Sequence, residues 1–191
     1  MTGHENRGFR RLFDGGLSVG LFFPITTSTE PIPPMDEQME LAQHASDLGF
    51  DALWVRDVPL HWPKFGDVGQ VYDPWVYLSH VAAHTDDVAL ATGSVVLPLR
   101  HPLHVAKAAA SVDRLSDGRL VLGVASGDRS PEYPAFGVEE GERGELFRES
   151  VRLMRTAWSE EFPEVESTWG TLDGRLDLVP KPTTETLPLL V

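Results

Sequence analysis

Apolar positions come along this chain in short blocks separated by longer amphipathic stretches. Leu17–Phe23, Ala52–Val55, Ala89–Leu97, Leu120–Ala125 and Leu187–Val191 are runs rich in leucine, valine and alanine, the pattern of strands buried on both faces. The intervening stretches have helical spacing. Met35 to Leu48 stacks Met35, Met39, Ala42 and Ala45 on one side, and His104 to Leu115 stacks Val105, Ala109 and Val112. Asp73 to His84 opens with an Asp-Pro pair, a cap followed by a first helical residue, and Pro102 suits the start of the third helix. Gly144 to Ser159 places Phe147, Val151, Met154 and Trp158 in register. Gly49 and Gly118 stop two of these helices. Strand, helix and strand in alternation predict right-handed βαβ units and a parallel sheet, an α/β protein. The unit spanning residues 88–128 is the clearest of them.

Three stretches break the alternation. Residues 1–16 are polar and read as a solvated tail or a short lead-in helix. The segment RSPEYPAFGVEEGERG after Asp128 is long for a connection in a compact domain, and its Tyr133 and Phe136 are apolar enough to cover a flat ligand. Residues 160–184 carry an acidic cluster and then two short apolar runs around Asp173-Gly174, a hairpin signal. Residues 17–191 form one domain in this reading.

Composition narrows the partners. At 191 residues, 41% hydrophobic and 24% charged, the chain has enough apolar material for a core. The formal net charge of −13 argues against nucleic acid and anionic membrane as partners. No cysteine is present, so disulfides, thiolate metal sites and cysteine nucleophiles are excluded. There is no apolar run of the roughly 20 residues that span a membrane and no apolar signal core near Met1, so the expected location is the cytoplasm.

Chemistry-bearing residues gather just after the strands, where α/β sheets carry their sites. Asp57 follows the 52–55 run; it can act as a weak base or hold a neighbouring arginine, Arg56 or Arg100. Arg100 and His101 follow the 89–97 run, and His101 can face a ligand or cap the helix that Pro102 begins. Ser126, Gly127 and Asp128 follow the 120–125 run and offer a hydroxyl and backbone donors. His80 and His84 would share a helix face, but without the glutamate of a zinc-binding HExxH they read as a surface pair. No phosphate loop, nucleophile elbow or metal constellation is present.

Five segments in order give the chain a resemblance: GFDALWV at 49–55, TGSVVLPLRHP at 92–102, DRLSDGRLVLGVASGD at 113–128, FRESVRLMRTAW at 147–158 and PKP at 180–182. Over residues 17–191 it resembles the luciferase-like monooxygenase family, flavin- or deazaflavin-dependent oxidoreductases on a TIM-type barrel. The resemblance implies an incomplete barrel of about five parallel strands with a hairpin excursion, since a whole barrel takes about 250 residues. It implies reduced flavin, FMN or alternatively the deazaflavin F420, reacting with oxygen and a small organic substrate, with a flavin reductase as possible supplier. Leu97, Arg100, Ser126, Gly127, Asp128 and Tyr133 become candidate cofactor contacts, and His101 and Asp57 candidate catalytic residues. Many relatives place a histidine base at or next to the point where this chain has Asp57-Val58. Leu97, His101 and Ser126 are expected on one rim. The alternative is a truncated, non-catalytic flavin-binding or assembly protein, because the family includes shortened barrels that bind flavin and pair as dimers. In either case the open sheet edges predict a homodimer or larger assembly.

Overall fold

The computed structural model describes residues 5–26, 32, 34–66, 70 and 72–191. Most of the proline-bearing loop 26–34 therefore lies outside the described residues. Among the described residues, six helices and eight strands follow in order: α1 (Arg7–Phe13), β1 (Gly20–Phe22), α2 (Gln38–Asp47), β2 (Ala52–Val55), α3 (Pro74–Ala82), β3 (Ala89–Thr92), β4 (Val95–Val96), α4 (Pro102–Leu115), β5 (Leu120–Ala125), α5 (Glu132–Ala135), α6 (Arg143–Ser159), β6 (Glu164–Ser167), β7 (Gly170–Asp173) and β8 (Leu189–Leu190). Single 3₁₀ turns at Pro63–Phe65, Leu97–Leu99 and Glu140–Glu142 join them.

β1, β2, β3 and β5 pair in chain order, all parallel, and β8 extends the sheet beyond β5. β4 also pairs with β5 in parallel. β3 and β4 are thus two halves of one strand position, interrupted at Gly93-Ser94, whose peptide bond is cis. The apolar run Ala89–Leu97, expected as one strand, is broken there and ends in a 3₁₀ turn. Five strand positions, with α2, α3, α4 and α6 on one face, make the parallel α/β sheet that the alternation predicted, and fit the incomplete barrel that the resemblance implied.

The two faces of the sheet differ in side-chain size. The outer face turns Leu53, Val55, Leu90, Val95, Leu120, Leu122 and Val124 toward α2, α3, α4 and α6, which answer with Ala42, Leu78, Val81, Val105, Ala109, Met154 and Trp158. Each fully buried aliphatic side chain in this layer contributes about 1.5–3 kcal/mol. Trp158 also donates its indole N–H to the Ala106 carbonyl at 3.0 Å, so its burial leaves no polar atom unsatisfied. The inner face carries small residues, Ala52, Ala89, Ala91 and Val121, and α1 packs Leu12 against them.

That packing decides for the short lead-in helix over the solvated tail in residues 5–16, residues 1–4 lying outside the described residues. Asn6 caps α1 by accepting the Phe9 N–H at 2.8 Å, and Gly8 and Leu12 are buried. Gly8 lies so close to the sheet that a Cβ there would sit 2.2 Å from the Arg119 carbonyl oxygen. The hairpin expectation also shifts. β6 and β7 pair antiparallel with Ser167 opposite Gly170, so the turn is Thr168-Trp169 and Asp173-Gly174 ends the second strand. Glu149 fixes this turn by accepting from the Thr168 N–H at 3.0 Å and from its hydroxyl. The first strand is shorter than Leu17–Phe23, because Leu17 and Val19 are exposed before pairing begins at Gly20. No described helix is long and apolar enough to cross a membrane.

Candidate functional site

The C-terminal ends of β2, β4 and β5 converge on two adjoining cavities. The first, about 310 Å³, is lined by Arg56, Asp57, Gly93, Ser94, Val96 and the stretch from Ala125 to Arg129. The second, about 390 Å³, is lined by Asp57, Val58, Pro59, Asp73, Leu99, Arg100 and Phe136. Asp57 belongs to both.

Asp57 is held from two sides. Arg100 donates Nε to Oδ2 at 2.8 Å and Nη2 to Oδ1 at 2.7 Å, and the Val96 N–H donates to Oδ2 at 3.2 Å. Only 1% of the Asp57 side chain is exposed, against 24% for Arg100. The second hydrogen of Arg100 Nη2 reaches Asp73 Oδ2 at 3.2 Å. Burial works against the Arg100 charge, but hydrogen bonds and fields from Asp57 and Asp73 outweigh it and hold its pKa above the ordinary value. Asp73 also accepts the Trp75 and Val76 N–H groups with Oδ1, as the N-cap expected for α3. The carboxylate of Asp57 thus ties the end of β2 to β4 and to the start of α4.

The turn after β5 is shaped by its glycine. Gly127 has φ +91°, and a Cβ there would lie 2.7 Å from the Tyr133 hydroxyl and 2.8 Å from Val96 Cγ1. Tyr133, 1% exposed, packs with Val96 and Leu99 and donates its hydroxyl to the Ser126 carbonyl at 3.1 Å. Burial pushes its phenol pKa up. Beyond the turn, Arg129 pairs with Glu132 at 2.9 Å, donates to the Leu60 carbonyl at 3.0 Å and stands over the Phe65 ring. On the inner face, Phe22 and Trp54 lie with centroids 6.3 Å apart, and a Cβ on Gly93 would meet both rings at 3.2–3.3 Å.

A family model described as luciferase-like monooxygenase matches residues 17–191. The chain belongs to the luciferase-like monooxygenase family. It is 34% identical over 140 residues to an F420-dependent glucose-6-phosphate dehydrogenase of Amycolatopsis mediterranei, covering 70% of this chain and 40% of that protein. It is 31% identical over 136 residues to the oxygenase component of a flavin-dependent trigonelline monooxygenase of Acinetobacter baylyi, covering 70% of this chain and 36% of that one. Among solved structures, the monooxygenase RslO1 of Streptomyces bottropensis superposes with a TM-score of 0.76 at 27% identity, over 91% of this chain and 52% of that one. The chain therefore spans about half, or less, of the length of these luciferase-like relatives.

Against the expectations for a luciferase-like site, the candidates divide. Ser126, Gly127 and Asp128 line the first cavity, Arg100 lines the second and Asp57 lines both. Leu97 does not reach the rim: the turn after β4 points it to the helix side, where it is fully buried in the main core. His101 lines neither cavity. Its Nδ1 accepts the Leu103 N–H at 3.3 Å as the cap of α4, which leaves Nε2 as the protonated nitrogen, donating to the Trp169 carbonyl at 3.2 Å. Leu97, His101 and Ser126 therefore do not share one surface. Tyr133 supports the Ser126-Gly127 turn from behind, and Phe136 is the loop aromatic that lines a cavity. Of the arginines left open as partners of Asp57, Arg100 makes the two-bond pair.

Sequence reasoning missed Ser94, Arg56 and Arg129 as lining residues and Trp54 as part of an aromatic wall. A signal existed for Ser94: a glycine inside an apolar strand marks a bulge or close approach. His80 and His84 are exposed, with His84 Nδ1 on the His80 carbonyl at 2.8 Å. Among the described residues no three histidine or acidic side chains are grouped to hold a metal.

The first cavity has the features that a tricyclic flavin-type ring requires. Its lining from β4 and β5 is small, its hydroxyls are Ser94 and Ser126, and its charged groups are Arg56 and Arg129 beside Asp57 and Asp128. Phe22 and Trp54, tilted 43° to each other, approach Gly93 beside it as an apolar aromatic pair. His101 and Leu97 are not among its described lining residues.

Proposed function

We propose that this chain carries the cofactor-binding part of a luciferase-like oxidoreductase. In this reading a flavin-type cofactor occupies the first cavity and a small organic substrate enters from the second. The observation that supports it most is the meeting of both cavities at Asp57, which puts two ligand spaces side by side at the strand ends. When bound, the cofactor supplies the redox chemistry, electron or hydride transfer and, for a reduced flavin, reaction with oxygen. The chain does the rest. Ser94, Ser126 and backbone amides orient the ring, Arg56 and Arg129 offset negative charge on it, and Phe136 and Leu99 keep water from the substrate side. Asp57 is a positioning residue, because Arg100 and the Val96 amide engage both of its oxygens.

FMN is the proposed cofactor, with F420 the alternative that the dehydrogenase relative suggests. A separate flavin reductase is the proposed partner, since the trigonelline relative is an oxygenase component. The place of action is the cytoplasm. The proposed assembly is a homodimer that covers the exposed β1 side, where Val19 and Phe22 face solvent. A second reading, a flavin-binding protein without turnover, is favoured by one observation: among the described lining residues of both cavities there is no histidine.

Titration of the purified chain with FMN and, separately, F420 tests the proposal through visible absorbance and quenching of tryptophan fluorescence near Trp54. Saturable binding of one cofactor, followed by oxygen uptake with reduced flavin and substrate, is the expected result. Binding without uptake selects the second reading. No spectral change with either cofactor at saturation removes both.

A further inference from the structure

We infer that the second cavity selects for uncharged or cationic substrates and rejects carboxylates and phosphate esters. This names the substrate class of the proposed function and rests on the reading of the first cavity as the ring site. The argument begins with charge. Among the described residues lining the second cavity, the ionic groups are Arg100, Asp57 and Asp73. One guanidinium against two carboxylates leaves an excess negative charge, and the more exposed carboxylate is Asp73, 41% exposed.

The arginine is also in the wrong state to take an anion. Arginine recognises a carboxylate or phosphate through two parallel N–H bonds. Here the Nε–Nη2 fork is engaged by Asp57, and the Nη1–Nη2 fork has its Nη2 hydrogen on Asp73, so only the two Nη1 hydrogens remain and neither fork is open. An incoming anion would have to displace one of these carboxylates or sit beside it. The rest of the lining, Val58, Pro59, Leu99 and Phe136, is apolar and offers an anion no replacement for its hydration. At about 390 Å³ the space equals that of roughly a dozen water molecules, enough for a single substituted ring. The net charge of −13 on the whole chain acts in the same sense, lowering the local concentration of anions.

The full chain, titrated by calorimetry with benzamidine, benzamide and benzoate, tests this inference, because the three probes share one ring and differ in charge. Benzamidine and benzamide are expected to bind, and benzoate at least about tenfold more weakly. D73N isolates the charge, since asparagine caps a helix as well as aspartate does. It is expected to narrow the benzamidine-to-benzoate ratio by about three- to tenfold. F136A, at a half-exposed wall position, should weaken all three probes and so locate them in this cavity. Benzoate binding as tightly as benzamide overturns the inference. So does an unchanged ratio in D73N, indifference to F136A, or no binding of any probe at about 10 mM. The titrations need no cofactor. A chain that shows the charge series but binds neither FMN nor F420 refutes the ring site alone, and one that binds flavin without the charge series refutes only this inference.

Discussion

The two ends of the barrel use polar residues for opposite ends. At the end where the strands begin, two buried charged groups are turned inward and answered by the chain. Asp113, fully buried, accepts from Asn6 Nδ2 at 3.1 Å and from the amide and hydroxyl of Thr183, both at 2.7 Å. Arg119 donates to the carbonyls of Ser116, Val88 and Ala82 and to the Thr85 hydroxyl. These bonds join α1, α4, β5 and the segment before β8 into one closed base. At the other end, Asp57, Arg100 and Asp73 are as tightly bonded, but each borders a cavity. A polar network with no open side contributes to stability, whereas one beside open space fixes the shape of that space. Substitutions at the base should therefore be read in folding and those at the rim in binding.

The largest expected effect is D113A. It leaves three donors, on Asn6 and Thr183, without their acceptor in a buried site, and should cost about 3 kcal/mol. Urea denaturation measures it, and a loss within about 0.5 kcal/mol would mean that the base is not closed. Next comes G8A. Alanine should favour a helix, but its Cβ would meet the Arg119 carbonyl, so α1 has to lift away from Ala52, Ala89 and Ala91. A loss of about 2 kcal/mol is expected, with faster amide exchange in α1 and flavin affinity unchanged. A fall in flavin affinity would show that the two ends are coupled. D57N reverses the balance. One asparagine oxygen cannot serve Arg100 and the Val96 amide as two carboxylate oxygens do, so the β4 wall loosens. Stability should fall by about 1 kcal/mol, a figure reduced for the partial exposure of Arg100, while flavin binding weakens about tenfold. Equal losses in G8A and D57N on both measurements would erase the distinction.

What the sequence displayed of this fold was its local grammar. β2 and β5 begin and end where the apolar runs do, and the caps at Asp73 and His101 are where a proline follows. Its silence was about pairs distant in sequence. Asp57 and Arg100 stand 43 residues apart, and nothing local to either chooses between Arg100 and Arg56 as the partner. The break at Gly93-Ser94 was marked only by its glycine, because both halves of the strand are apolar. The burial of α1 was hidden because it comes from a glycine and a single leucine, too little for an amphipathic stripe. Tyr133 and His101 were left open for one reason: a side chain able to meet a ligand is equally able to meet the chain, and only the fold shows that both have partners within the chain.

The gentlest test of the closed base is its response to pH. Burial raises the Asp113 carboxyl above its ordinary pKa, outweighing the opposing contributions of Thr183, Arg114 and Asn6. The folded chain then holds this proton more tightly than the unfolded chain. Stability from Asp113 is fully present below the unfolded value near pH 4 and is lost as pH rises through the folded value. In D113N that titration is gone. The stability of the native chain minus that of D113N should therefore decline as pH is raised from about 4 and level off above the folded pKa. Urea midpoints at successive pH values supply the difference. A difference that grows with pH would mean that the three donors, rather than burial, govern this carboxyl. The base would then hold an anion, which is how the rim holds Asp57.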